Sequence, residues 1–227
     1  MIFHLTPSTR TLGAVLLVLG LDTACQRPQH ATQGTLTRAQ EKVVGAHILA
    51  AVPALQNKTD ASFEDKLTLL GWDITGETKK GDKLHLVLFW RCDQPVQGDW
   101  KMFVHLDWRG SPKDARSNAD HYGVGDMYPV NQWKRGEIIR DEVDIEVPAD
   151  WDQGNAQLFL GFFDPVANDK NQDRRFAVTK PGAATLEPDG RLLLGNVPFA
   201  APPAPDKPAE PAAEAAPAIP APAIPAR

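Results

Sequence analysis

From Phe63 to Phe199 the chain alternates apolar and polar positions with a period of two, broken by Gly, Pro, Asp and Asn. Leu84, Leu86, Leu88 and Trp90 share one face of the run Lys83–Arg91, and Trp100, Met102, Val104, Leu106 and Trp108 share one face of the next. Further on, Val143, Ile145 and Val147 alternate with Glu142, Asp144 and Glu146. Leu158, Leu160 and Phe162 alternate with Phe159, Gly161 and Phe163, the pattern of a strand buried on both faces. Leu67–Ile74, Arg175–Thr179 and Arg191–Val197 complete the set. A period of two with turn punctuation and no long helical stretch predicts an all-β fold. The expected architecture is an antiparallel β-sandwich, immunoglobulin-like or jelly-roll-like, of about seven strands.

The flanks read differently. Residues 25–62 are polar at first and then carry an amphipathic piece, Arg38–Leu55, with Val43, Val44, His47, Ile48 and Val52 at helical spacing up to Pro53. They predict a linker holding one short helix. Residues 200–227 are nearly all Ala and Pro, a composition that cannot bury a core and predicts a disordered, extended tail. Residues 1–24 begin with Arg10 as the one firm charge, continue with the apolar stretch Leu12–Leu21, and end Asp22-Thr-Ala before Cys25. That is the form of a secretory signal, too short to span a bilayer.

Charge and cysteine content narrow the partners. Lys and Arg number 24 against 29 Asp and Glu, a net charge of −5, which disfavours nucleic acid as a partner. Only two cysteines are present, Cys25 and Cys92, so a disulfide scaffold is excluded, and Cys92 beside Trp90 in a strand reads as a buried thiol.

Small residues running directly into Cys25 resemble the bacterial lipobox, with one departure: Asp22 stands where that pattern has Leu. The resemblance implies lipidation of Cys25 and a lipoprotein anchored in a membrane. Gln26 after the cysteine implies the outer membrane, with the domain facing the periplasm or the cell surface. The sandwich carries a second resemblance, in Leu67-Thr-Leu-Leu-Gly-Trp-Asp-Ile74, Lys80-Gly-Asp-Lys-Leu84, Leu88-Phe-Trp90 and Trp100-Lys-Met-Phe-Val-His-Leu-Asp107. It continues through Asn118-Ala-Asp-His121, Met127-Tyr-Pro129, Trp133-Lys-Arg-Gly-Glu137, Ile139-Arg-Asp141 and Val147-Pro148. This series resembles the extracytoplasmic β-sandwich at the C-terminus of bacterial protein-mannosyltransferase-type membrane glycosyltransferases, also found alone in secreted proteins. It implies a fold and a setting of glycan handling. The catalytic membrane part of such enzymes has no counterpart here, so their activity does not follow.

Candidate chemistry is sparse. His105 and Asp107, two apart on a strand, share a face, and Asp120 and His121 follow. These four could hold a metal or serve a hydrolase, although no HExxH or other ligand spacing supports them. Asp141, Glu142, Asp144 and Glu146 offer paired carboxylates of the glycosidase kind, but the last three alternate with apolar residues as a solvated sheet face does. Asp141 shares parity with Ile139 and Val143 and reads as a structural acid. No GxSxG, phosphate loop or cofactor motif is present, and no cofactor is expected. Trp108, Tyr122, Tyr128, Trp133 and Trp151 lie beside predicted turns and are the candidate platform on which a sugar ring could stack. Trp72, Trp90 and Trp100 read as core.

The expectation is a non-catalytic, lipid-anchored envelope protein that binds an envelope glycan or serves an envelope assembly. The alternatives are a hydrolase or metal enzyme built on His105, Asp107, Asp120 and His121, and an interaction protein that docks through its Ala/Pro tail.

Overall fold

The computed structural model describes residues 35–108, 115–151 and 154–199. Its first element is the helix α1, Arg38–His47. Thr37 starts it with a reciprocal cap: the Gln40 backbone N–H donates to Thr37 Oγ1 (3.3 Å) and the Thr37 N–H to Gln40 Oε1 (2.9 Å). The helix stops where Ile48 turns extended and opens β1, Ile48–Leu49.

The remaining strands are β2 (Asn57–Phe63), β3 (Leu67–Thr75), β4 (Lys83–Cys92), β5 (Lys101–Trp108) and β6 (Ala115–Asn118). After them come β7 (Ile138–Glu146), β8 (Asn155–Phe163), β9 (Val178–Lys180), β10 (Thr185–Leu186) and β11 (Leu192–Pro198). A short helix α2, Pro165–Asp169, follows β8. The strands form two antiparallel sheets, in the orders β1-β7-β4-β3-β2-β9 and β10-β11-β8-β5-β6. The architecture is the expected β-sandwich. The strands beyond the expected seven are short or polar: β1 and β10 have two residues each.

The largest difference lies in the segment read as linker. Residues 57–63 (NKTDASF) form a true strand, because Thr59, Ala61 and Phe63 alternate inward and are 4%, 0% and 0% exposed. Small and hydroxylated side chains hid that alternation. A bulge in β2 between Lys58 and Ala61 and another in β3 between Leu69 and Gly71 re-phase the pairing.

Between the sheets lies one main core. Leu86, Leu88 and Trp90 of β4 face Val104 and Leu106 of β5 and Leu158, Leu160 and Phe162 of β8. Trp90 sits at the middle of an aromatic group, 5.6 Å from Phe63, 5.3 Å from Phe162 and 6.2 Å from Trp133. A smaller core of Leu70, Val87 and Phe89 is covered by Leu49, Leu55 and Ile138. So β4 is buried on both faces, and the chain after α1 straps one face of the six-stranded sheet.

Candidate functional site on the outer face of the five-stranded sheet

Parity turns Met102, Val104, Leu106 and Trp108 of β5 into the core, and Lys101, Phe103, His105 and Asp107 away from it. Strand register then builds cross-strand rows on that outer face. Asn196, Gln157, Asp107 and Arg116 stand opposite one another across β11, β8, β5 and β6. Leu193, Phe159, His105 and Asn118 form the next row. Phe103 and Gly161 pair beyond it, and this glycine is required by close approach: a Cβ there would lie 2.3 Å from the Phe103 ring.

Cations roof the aromatic part of the face. The His105 ring stacks on Phe103 with centroids 4.8 Å apart. The Arg175 guanidinium lies 5.3 Å over Phe103 and the Arg191 guanidinium 4.0 Å over Phe159. Phe103 and Phe159 are consequently 3% and 1% exposed, whereas Arg116, Asn118 and Asn196 are open to solvent and Gln157 is half-buried.

Asp107 is the electrostatic hub. Arg116 donates to both its oxygens, from Nε at 2.5 Å and Nη2 at 2.9 Å, and Arg191 donates from Nη1 at 2.8 Å. Arg191 is itself held by Asp189, Nε to Oδ2 at 2.7 Å. Burial raises the Asp107 carboxyl, but the hydrogen bonds and charges of the two arginines outweigh it and hold the group at about 2. A folded-state value below the unfolded one gives stability that is present above the ordinary aspartate range and is lost as pH falls through the folded value. We therefore expect about 2 kcal/mol of stability to disappear between about pH 4 and about pH 2, and Asp107→Asn to remove that acid limb in urea unfolding. An unchanged acid limb in Asp107→Asn would discount the network.

The four residues read as a metal or hydrolase set do not converge. Asp107 is engaged by arginines, and His105 Nε2 faces Asp120 Oδ1 at 3.4 Å. His121, 8% exposed, belongs to a different constellation: its Nδ1–H donates to the Ala119 carbonyl (2.8 Å) and its Nε2 meets Asp141 Oδ2 (2.8 Å). Among the described residues no three His, Cys, Asp or Glu side chains are grouped to hold a metal ion.

The aromatic platform needs correction. Trp108, Tyr122, Tyr128, Trp133 and Trp151 are 4%, 7%, 7%, 2% and 3% exposed, so they offer no open ring face for a sugar. Trp108 stacks on Trp151 at 5.6 Å, and Phe199 meets Trp151 edge-on. Tyr128 donates to Glu137 Oε2 (2.8 Å), and Trp133 Nε1–H donates to the Tyr128 carbonyl (2.8 Å). Trp108, Tyr128, Trp133 and Trp151 belong to the main core, so these rings pack inward although they lie beside turns in the sequence.

Glu142, Asp144 and Glu146 stand on the solvated face of β7, paired with Arg140, His85 and Lys83. Asp141 points inward and is fully buried. Cys92 is buried too. Burial first, then the nearby Glu137 and Asp93 charges, push its thiol up to about 11, so it stays protonated at neutral pH. Cys25 and the Ala/Pro tail lie outside the described residues.

Compared with known proteins, the chain matches no protein-family model, no curated protein and no solved structure. The functional reading rests on its own residues.

Arg116, Asn118, Gln157, Arg191 and Asn196 were not singled out from sequence. Parity along β8 marks Gln157 as outward, but the bulge between Leu193 and Gly195 conceals that Asn196 joins its row.

Proposed function

We propose that this protein is a non-catalytic envelope module, exported and anchored by lipid on Cys25, that binds a glycan on the outer face of its five-stranded sheet. The supporting observation is the row Asn196–Gln157–Asp107–Arg116, with Asn118 beside it. Neighbouring strands are about 4.8 Å apart, so the amides of Asn196 and Gln157 and the guanidinium of Arg116 stand at regular spacing along the sheet, with the buried Asp107 carboxylate between Gln157 and Arg116. Each amide both donates and accepts, as sugar hydroxyls do, and a polymer of hydroxylated rings can be read by such a repeat. The fixed sheet leaves little to be ordered on binding. The non-catalytic character rests on how the ionisable groups are used: the carboxylate at the centre of the row is committed to two arginines.

The test is an array of envelope polysaccharides probed with the full-length protein in detergent. Gln157→Ala combined with Asn196→Ala is expected to weaken binding about tenfold or more while the unfolding temperature moves by only a few degrees. A folded protein that binds no glycan, or a variant that binds like the parent, would reject the assignment.

A further inference from the structure

We infer that the segment from Arg38 to Ala54 rests on a lipid surface and sets the orientation of the sandwich on the membrane; this inference depends on the anchoring proposed above. It starts from an apolar surface without a partner. The inner side of α1 buries Val44, and Leu36 and Ile48 pack with it against the main core. Ala39, Val43 and Ala46, spaced by four and three, form a second stripe, and all three are exposed. The chain then runs through Ala50, Ala51, Val52, Pro53 and Ala54, every one of them exposed. Among the described residues the exposed large hydrophobic side chains are Val43, Val52 and Leu186, and two of the three fall in this segment. A consecutive exposed apolar run is unfavourable in water and marks a contact surface when it occurs on an ordered element.

The segment is held in place at both ends. The cap of Thr37 and Gln40 fixes the start of α1. Beyond it, His47 Nδ1 meets the Arg140 carbonyl at 2.7 Å, and Ile48 pairs with Ile139. Leu49 and Leu55 both pack on the cluster of Leu70, Val87 and Phe89, so residues 50–54 are a bridge between two fixed points.

Two observations favour lipid as the occupant. The twelve residues Gln26–Thr37 separate Cys25 from α1. Even fully extended, twelve residues reach about 40 Å at most, so an acylated Cys25 tethers this segment, the first described element, within that distance of the headgroups. Flanking charge fits as well: Arg38 and Lys42, one helical turn apart, and Lys58 are exposed cations beside the apolar run, with Glu41 as the acid of the helix. Apolar residues flanked by cations suit an anionic lipid interface. Because the acyl chains supply the attachment, the contact has only to fix a tilt.

The experiment uses the full-length protein, purified with its lipid, on vesicles of phosphatidylethanolamine and phosphatidylglycerol. An environment-sensitive fluorophore is placed through Val52→Cys, with Leu186→Cys as the exposed control on β10; the buried Cys92 is left unlabelled. The expected result is quenching by a lipid-borne quencher several-fold stronger at 52 than at 186, reduced to the control level by Val43→Asp. Attachment through an acylated Cys25 with equal quenching at both positions would overturn this inference and leave the anchoring reading standing. An unacylated Cys25 with no vesicle binding would overturn both. Burial of the label only when envelope proteins are added would overturn the lipid surface in favour of a protein partner.

Discussion

Asp141→Ala is expected to destabilise the protein by about 3–5 kcal/mol, because it strands a buried cation and a buried backbone donor together. Asp141 is 0% exposed. One oxygen accepts from the Val124 N–H (2.7 Å) and the other from His121 Nε2 (2.8 Å). The opposite nitrogen of His121 faces a carbonyl, which can only accept, so Nδ1 carries a proton, and the carboxylate beside Nε2 favours a second proton there, the imidazolium form. Burial lowers the His121 pKa, but the charge and hydrogen bond of Asp141 and the Ala119 carbonyl outweigh it, and the net direction is up. The Val124 backbone adds to the cost: this β-branched residue is held at φ +55°, followed by Gly125 at +58° and Asp126 at +66°, a left-handed turn that Asp141 pins. A raised histidine value contributes stability that is full below its ordinary value near 6.5 and fades as pH rises through the folded value. Urea unfolding at about pH 6 and about pH 9 should therefore show an alkaline loss in the parent and none in Asp141→Ala. Asp141→Asn, which can still accept from Val124, should fall between the two. A loss below about 1 kcal/mol with the alkaline limb intact would contradict this account.

The same residues show what could be read from the chain. Parity alone turned Asp141 inward with Ile139, and parity placed His105 and Asp107 on one face. Both follow from the two-residue period, which is local. The partners are not local: Asp141 meets His121 across 20 positions, and Asp107 meets Arg191 across 84. Nothing in the strand pattern says which arginine reaches which carboxylate. Bulges set a second limit, since one at Leu193/Gly195 changes which β11 residues face outward. The strand β2 was obscured for a third reason. Its inward positions are Thr59, Ala61 and Phe63, and only the last is a large apolar residue. Turn-flanking aromatics misled for a related cause, because proximity to a turn in sequence does not say whether the turn opens to solvent or folds over the core.

Trp133→Ala decides that last point and is expected to cost about 3–5 kcal/mol, enough to leave a sizeable fraction of the protein unfolded at ordinary temperatures. Trp133 follows a 3-10 turn at Val130–Gln132 and is 2% exposed. Its ring lies 6.2 Å from Trp90, and a Cβ on Gly123 would approach its Cζ2 to 2.9 Å and the Tyr128 carbonyl to 2.7 Å. The indole therefore fills the space between the central aromatic group and the backbone of residues 123–128. Removing it opens a cavity beside Trp90 and leaves the Tyr128 carbonyl without the donor it now has at 2.8 Å. Trp133→Phe keeps much of the volume and loses the donor, so a smaller loss, about 1–2 kcal/mol, is expected from thermal or urea unfolding. A sugar platform would behave in the opposite way: the alanine variant would fold with the parent's stability and lose only binding. Unaltered stability in Trp133→Ala would return this residue to the surface and move the glycan site to the turn that carries it; the expected loss leaves the polar row of Asn196, Gln157 and Arg116 as the place to look.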